Sequence, residues 1–216
     1  FISTVEVIVL LGATPVFEDV ENDTALLNAS LLEEKITNKT KAIVPVSLYG
    51  QIPDMVEINR IAQRCGEIPV IEDAAQSFGA IANGNRSCGV STIGCTSFFP
   101  SKPFGCYGDG GAIFTNDDSI AERVNAIRIH GQTKRYVHDR VGLCGRLDTL
   151  QAAILLAKWP RFSSELVQRK RVAQNYYREL AGSLRTMSLI TVRKNHQSVF
   201  GQFTLTVENR DHVRNY

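Results

Sequence analysis

Val70-Ile71-Glu72-Asp73-Ala74-Ala75-Gln76-Ser77-Phe78-Gly79-Ala80 decides how this chain is read. Pro69, Val70 and Ile71 form a short continuous apolar run, the pattern of a strand buried on both faces of a sheet. The run ends in Asp73, and in open α/β sheets ligands gather at the carboxyl ends of the strands. Outward from this point, strand and helix patterns alternate. Upstream, Ser3 to Leu11 reads as the tail of a helix closed by Gly12, and Pro15 to Glu18 as a short strand. Asn28 is an N-cap for a helix through Ile36. Lys41 to Val46 reads as a strand, and Asp54 to Cys65 as a helix with Met55, Ile58, Ile61 and Ala62 on one face. Downstream, Thr96 to Phe99 and Ala112 to Thr115 are strands, and Asp117 to Ile129 is a helix with Ile120, Val124 and Ile127 on one stripe. Alternation of this kind predicts an α/β domain with a mostly parallel sheet.

Past Leu147 the character becomes helical. Leu147 to Ala157 is one predicted helix and Arg161 to Leu184, interrupted only by Gly182, another, with Pro160 at their junction. Ser198 to Val207 alternates like a strand of a new unit. The chain is therefore divided at Trp159, into a large domain over 1–158 and, over 159–216, a connecting helix with the beginning of a small α+β domain. It starts at Phe1 and stops just after a strand-like stretch, so both ends read as cut.

Composition narrows the function classes. The 216 residues are 44% hydrophobic and carry 24 basic against 22 acidic side chains, a net +2. A nucleic-acid protein would show a concentrated basic excess, and Arg169-Lys170-Arg171 reads instead as the solvated face of a helix with Leu166, Ala173, Tyr177 and Leu180 inward. No apolar run approaches the roughly 18 residues of a membrane span. The five cysteines are odd in number and never spaced as C-x-x-C, which predicts reduced thiols in a cytoplasmic protein. His130, His138, His196 and His212 have no metal-ligand spacing, and each is read as solvated or capping.

After Asp73 come Thr96-Ser97-Phe98-Phe99-Pro100-Ser101-Lys102-Pro103-Phe104-Gly105 and then Gly108-Asp109-Gly110-Gly111-Ala112. A lone strand-end Asp is a cap or turn residue more often than not, and a lone Lys between prolines is surface; their order with a Gly-rich turn is not commonplace. With Leu11-Gly12-Ala13-Thr14-Pro15-Val16 before them and Arg146-Leu147-Asp148-Thr149-Leu150-Gln151-Ala152-Ala153 after them, these motifs resemble the DegT/DnrJ/EryC1/StrS sugar aminotransferases. That resemblance covers nearly the whole chain. It implies the fold-type I, aspartate-aminotransferase-like architecture and pyridoxal 5'-phosphate as cofactor. Ser-Phe-Phe-Pro-Ser-Lys-Pro followed by Gly-Cys-Tyr-Gly-Asp-Gly-Gly points to the branch that aminates a 3-keto UDP-N-acetylglucosaminuronic acid in O-antigen precursor synthesis.

Residue roles follow from the same resemblance. Lys102 matches the lysine that holds the cofactor in a covalent bond only an amine can form, and that afterwards serves as base. Asp73 matches the carboxylate facing the pyridine nitrogen. A carboxylate about 4 Å from such a nitrogen is worth on the order of 4 kcal/mol at an effective dielectric of 20, or up to about 3 units of ring basicity. Gln76 matches a hydrogen-bond partner of the phenolic oxygen, Ser97 a phosphate-binding hydroxyl, and Phe1 an aromatic that stacks on the ring. Cys144 stands where the family has an asparagine that reaches the partner subunit's cofactor phosphate. A thiol is a weak donor, and the loss of one hydrogen bond to a charged phosphate costs about 1.5–3 kcal/mol. Arg135 and Tyr136 fall in a loop that approaches the neighbouring active site, where Arg135 could meet a carboxylate or diphosphate. The glycine-threonine phosphate loop of the family would lie before Phe1.

The partners implied are a nucleotide-linked keto sugar, glutamate as amino donor, and a second copy of the chain in a homodimer with shared sites. Two other readings keep a claim. Sugar dehydratases of the same fold carry histidine in place of the lysine, which Lys102 argues against. The other is a cofactor-binding pseudoenzyme or sensor, or a fragment that has lost activity; Lys102 and Asp73 both being intact speaks against decay, since a dead protein has no chemical use for either.

Overall fold

The structure is a computed structural model, and it describes residues 1–181 and 187–215. Its helices are α1 (Ile2–Leu10), α2 (Ala29–Lys35), α3 (Met55–Arg64), α4 (Asp118–Ile127), α5 (Thr149–Leu180) and α6 (Arg210–Arg214). Its strands are β1 (Ile71–Asp73), β2 (Ile81–Ala82), β3 (Asn85–Arg86), β4 (Ile93–Ser97), β5 (Gly111–Phe114), β6 (Gln132–Lys134), β7 (Val137–His138), β8 (Met187–Leu189), β9 (His196–Gln197) and β10 (Leu205–Val207). The result is a mixed α/β chain built on small sheets. The sheet that carries Asp73 and Ser97 runs β1-β4-β5, parallel between β1 and β4 and antiparallel between β4 and β5, so the expected mostly parallel sheet is instead mixed.

Residues 43–46 flank β1 on its other side. The expected strand over Lys41 to Val46 is there only as two parallel bridges, Ile43 to Val70 and Val46 to Asp73. Pro45 between them has no N–H to give to a ladder. Its carbonyl still accepts from Asp73 N at 2.9 Å, so the segment serves as a parallel edge.

Helix α3 forms where its apolar stripe required it. Asp54 caps it by accepting from Glu57 N, and Met55, Ile58, Ile61 and Ala62 are all buried. Full burial of a side chain such as Ile58 is worth about 1.5–3 kcal/mol. Asn28 caps α2 by accepting from Ser30 N. These helices close one core over β1 with Ile43, Ile52, Val70 and Val199. A second core gathers Phe98, Phe104, Cys106, Leu155 and Phe162 between the segment after β4 and α5.

Several expectations fail, each for a local reason. Pro160 does not end a helix: α5 runs unbroken over 32 residues with the proline inside it. A proline in a helix interior costs about 3 kcal/mol, and here the surrounding contacts offset it. Trp159 and Phe162 stack with centroids 5.9 Å apart, and both pack on Phe104. Gly182 and Leu184, where the second helix was to be interrupted and to end, lie outside the described residues. Pro15 to Glu18 is no strand; Val16 and Phe17 are exposed, and pairing begins only with the Val20 to Leu27 bridge. In α4 the expected stripe is only half-covered, with Ala126 the buried residue and Ile127 exposed.

Of Ser198 to Val207, only Leu205–Val207 is strand. Val199 instead donates to Gly50 O at 2.9 Å. Gly50, at φ +96°, permits that approach: a Cβ there would lie 2.8 Å from Phe200 N. His196 is neither solvated nor a cap but half-buried in β9, and burial pulls its pKa down, with the nearby Arg193 charge second.

All five cysteines are free. No helix among the described residues is long and apolar enough to cross a membrane, and no metal-binding cluster forms among them.

Candidate active site

Parallel pairing sets the site. β1 and β4 run side by side with Asp73 in register with Cys95, so Asp73 and, two residues further on, Ser97 end adjacent strands at the same edge of the sheet. Alternation along β1 sends neighbouring side chains to opposite faces. Glu72 goes into the interior and is fully buried, while Asp73 is half-buried at the edge. Asp73 Oδ2 accepts from Thr4 Oγ1 at 2.6 Å and Oδ1 accepts from Ala75 N at 3.1 Å. That contact brings the start of α1 onto the carboxylate. Phe1, one turn earlier, is exposed.

Lys102 follows β4 in a turn closed by its own N–H donating to Phe99 O at 2.9 Å. The turn is rigid. Phe98 N donates to Gly110 O and Cys106 N to Phe98 O, both at 2.7 Å. Gly105 sits so close to the chain that a Cβ there would meet Phe99 O at 2.6 Å. From α5, Lys158 Nζ donates to Gly105 O, and Gln151 Oε1 accepts from Tyr107 N at 2.9 Å. Ser97 Oγ accepts from Phe99 N at 3.2 Å, which leaves its O–H available to an outside acceptor.

Gln76 follows β1 by three residues, and its Oε1 accepts from Tyr49 N at 2.7 Å. Its carbonyl and the ring of Pro103 both border Gly201, so the Lys102 turn and the Gln76 segment share a neighbour. Asp73 and Gln76 on one segment and Ser97 and Lys102 on another thus end or follow two adjacent parallel strands at the same, carboxyl-terminal end of the sheet. Arg135, Tyr136 and Cys144 do not join them. Arg135 lies over the Tyr136 ring, 5.2 Å from its centroid, at the exposed tip of the β6–β7 hairpin. Cys144 closes that arm by bridging to Ile129, and accepts a weak hydrogen bond from Arg146 Nη2 at 3.5 Å. Among the described residues no hydrogen bond or ion pair ties the arm to Asp73 or Lys102.

Four residues of this neighbourhood were not read from sequence. Thr4, Ser47 and Tyr49 gave no signal, since a hydroxyl or a backbone N–H acquires a role only through the fold. Glu72 did give one: an acidic residue inside a run that reads as buried on both faces. It accepts from Ser47 Oγ and Cys88 N, each at 2.7 Å. Burial pushes its pKa up, the hydrogen bonds from Ser47, Cys88 and Ser87 oppose this, and the Asp73 charge adds to it. Cys88 is pushed up to about 12 by burial and then by the Glu72 charge, and Cys95 to about 11 by burial and then by Asp73. Thiols so placed stay protonated and are no nucleophiles near neutral pH.

A pH dependence follows. A carboxyl that binds its proton more tightly folded than unfolded stabilises the fold at low pH, and that stability is lost as pH rises from the ordinary value of 4.5 through the raised one. The thiols facing Glu72 titrate far above this window. Glu72→Gln removes the titration. In urea unfolding at pH 4.5, 6 and 8, the variant is expected to gain on the parent protein as pH rises; a constant difference would show that Glu72 does not titrate there.

The whole chain, residues 1–216, matches the model of the DegT/DnrJ/EryC1/StrS aminotransferase family. The chain belongs to that family. It is 54% identical over 216 residues to the Pseudomonas aeruginosa UDP-2-acetamido-2-deoxy-3-oxo-D-glucuronate aminotransferase, covering 99% of this chain and 59% of that protein. It is 41% identical to the Acidithiobacillus ferrooxidans UDP-N-acetyl-3-dehydro-alpha-D-glucosamine 3-aminotransferase, covering 99% and 57%. Among solved structures, S. venezuelae DesV in complex with a ketimine intermediate superposes with a TM-score of 0.95 at 36% identity, over 100% of this chain and 57% of that one. A family aminotransferase from Brucella abortus superposes at 0.93 and 37%, over 100% and 59%. The chain therefore spans somewhat under three-fifths of the length of these relatives.

Proposed function

We propose that this chain is the cofactor-binding part of a pyridoxal-phosphate-dependent aminotransferase that moves an amino group from glutamate to a nucleotide-linked keto sugar. UDP-2-acetamido-2-deoxy-3-oxo-glucuronic acid is the substrate, as in the 54% identical relative, and the product feeds cell-surface polysaccharide such as O-antigen. The observation that supports this reading is the parallel register of β1 and β4, which sets the strand end of Asp73, followed by Gln76, side by side with that of Ser97, followed by Lys102. The β1–β4 pair and its flanking segment form the parallel part of a fold-type I large domain over 1–158, with 159–216 leading into the small domain.

The donor set fits the group. Its amine, anionic carboxylate, amide and hydroxyl match an aldehyde, a ring nitrogen, a phenolic oxygen and a phosphate. When bound, pyridoxal phosphate supplies an electron sink for the carbon that loses its proton. The chain supplies the rest. Lys102 would anchor the cofactor and, once its amine is free, take the proton from the amino-bearing carbon and return it two atoms further along, on the cofactor side. Asp73, fixed by the Thr4 hydroxyl and the Ala75 amide, keeps one charged oxygen toward the ring nitrogen. Gln76 has its oxygen occupied by Tyr49 N–H, so its NH2 is left to donate to an anionic oxygen. Ser97 gives its O–H to phosphate, and Phe1 covers the ring.

Arg135, Tyr136 and Cys144 belong, in this reading, to the partner's site in a homodimer, which accounts for an arm that stands away from the chain's own Asp73 and Lys102. Free cysteines suit a cytoplasmic enzyme. Incubation of the cofactor-loaded protein with glutamate alone is expected to release 2-oxoglutarate up to one equivalent per site, and turnover is expected on addition of the keto sugar. Absence of both would leave the sensor reading in its place.

A further inference from the structure

Glu72 is the one fully buried carboxylate among the described residues, and the chemistry proposed above makes no use of it. Taking an acidic side chain out of water is costly unless its oxygens are satisfied. Here they tie three segments together: β1 itself, the edge segment through Ser47 Oγ, and the turn before β4 through Cys88 N. Ser87 beside it is held in turn by Ser77, their hydroxyls 2.8 Å apart.

What hangs from this knot is a backbone donor. Ser47 N donates to Asp73 O at 2.9 Å, so Ser47 is pinned to β1 from both its backbone and its side chain. The chain then turns through a single 3-10 turn, Leu48–Gly50, in which Tyr49 sits at φ 58°. A non-glycine residue in the left-handed region is strained and persists only where its surroundings fix it. Tyr49 N is the group that occupies Gln76 Oε1. Without that N–H, the amide of Gln76 is free to turn over and present oxygen instead of nitrogen, an acceptor facing an anionic ligand atom.

We propose that Glu72 is a positioning residue for Gln76: acting through Ser47 and the 48–50 turn, it holds the Tyr49 amide that leaves the Gln76 NH2 free to donate to the cofactor. The inference rests on the assignment of Gln76 as a cofactor contact. In Glu72→Gln the new side-chain amide satisfies the same knot, because its oxygen takes the Cys88 N–H while its NH2 donates to Ser47 Oγ, a hydroxyl that can accept as well as donate. Leucine can do neither.

The test is a set of variants of the full protein, read by Kd for pyridoxal phosphate, by the visible band of the bound cofactor and by the melting temperature of the cofactor-free form. Gln76→Ala is expected to weaken binding roughly ten- to hundredfold, the loss of one hydrogen bond to a charged group, and to shift the band. Ser47→Ala is expected to shift the band the same way and weaken binding severalfold. The double variant S47A/Q76A should then be no worse than Q76A alone, the non-additivity of residues acting through one another. Glu72→Gln should retain binding within a few-fold of the parent, and Glu72→Leu should resemble S47A.

Additive effects of S47A and Q76A would overturn the proposal. So would an S47A that lowers only the melting temperature with Kd and band unchanged, or a Glu72→Gln as damaging as Glu72→Leu. A Q76A without effect on Kd or band overturns it too. In that event a band that Lys102→Ala abolishes would show the broader cofactor assignment still standing.

Discussion

Replacing Lys102 with alanine is expected to abolish the visible absorption of the cofactor-loaded protein and to lower kcat by about 10⁴-fold or more. In the proposed reading two functions vanish with one amine: the covalent anchor and the proton carrier, the latter alone worth about 10²–10⁴-fold. The fold is expected to survive. The turn that carries Lys102 is fixed by backbone hydrogen bonds from Phe98, Lys102 and Cys106, and by Gly105 packed against Phe99 O. Among the described residues the Lys102 side chain takes part in no ion pair. Unfolding free energy should therefore change by about 1 kcal/mol or less. This combination is diagnostic. A variant that melts like the parent but has lost its band has lost chemistry, and one that keeps its band places the anchoring amine elsewhere, with Lys158 the neighbouring candidate.

The sequence made some of this readable and hid the rest, for physical reasons. Helix α3 was legible because its capping Asp54 and its stripe of Met55, Ile58, Ile61 and Ala62 are local properties, and the buried face follows from spacing alone. The strand expected at Pro69 to Ile71 was legible for the same reason, although β1 begins at Ile71, runs to Asp73 and has only Glu72 fully buried. The continuity of α5 was not, because Pro160 is a local stop signal overruled by contacts with Phe104, which lies 56 residues away in sequence. The β6–β7 hairpin was not either: Gln132–Lys134 is polar and exposed, so it has no apolar alternation to betray a strand.

At the site the division is sharper. Lys102 and Asp73 stand out because few side chains can do the chemistry proposed for them. Thr4 and Ser47 look like any other hydroxyl, and the useful atom of Tyr49 is its backbone N–H. Supporting contacts of this kind exist only after folding.

Asp73→Asn is expected to cost nearly as much as loss of the lysine, by a different route. Shape is almost conserved, since asparagine retains an oxygen that can accept from Thr4 Oγ1 or from Ala75 N. What disappears is the charge. An anion about 4 Å from a ring cation is worth on the order of 4 kcal/mol at an effective dielectric of 20, which corresponds to roughly 10³-fold in rate if all of it is felt in the transition state. Because the ring nitrogen then gives up its proton more readily, the pH at which activity falls on the alkaline side should move down. Cofactor affinity should fall less than kcat, since Lys102, Gln76 and Ser97 remain in place. Thr4→Val tests the same circuit from the other end: removing the hydroxyl that holds Asp73 Oδ2 frees that oxygen without touching the charge. Its effect on kcat should be at most about ten- to hundredfold, in line with one hydrogen bond to a charged group. Equal losses in D73N and T4V would mean that position, and not charge, is what Asp73 contributes, and a D73N enzyme with kcat within a few-fold of the parent would remove Asp73 from the ring nitrogen altogether.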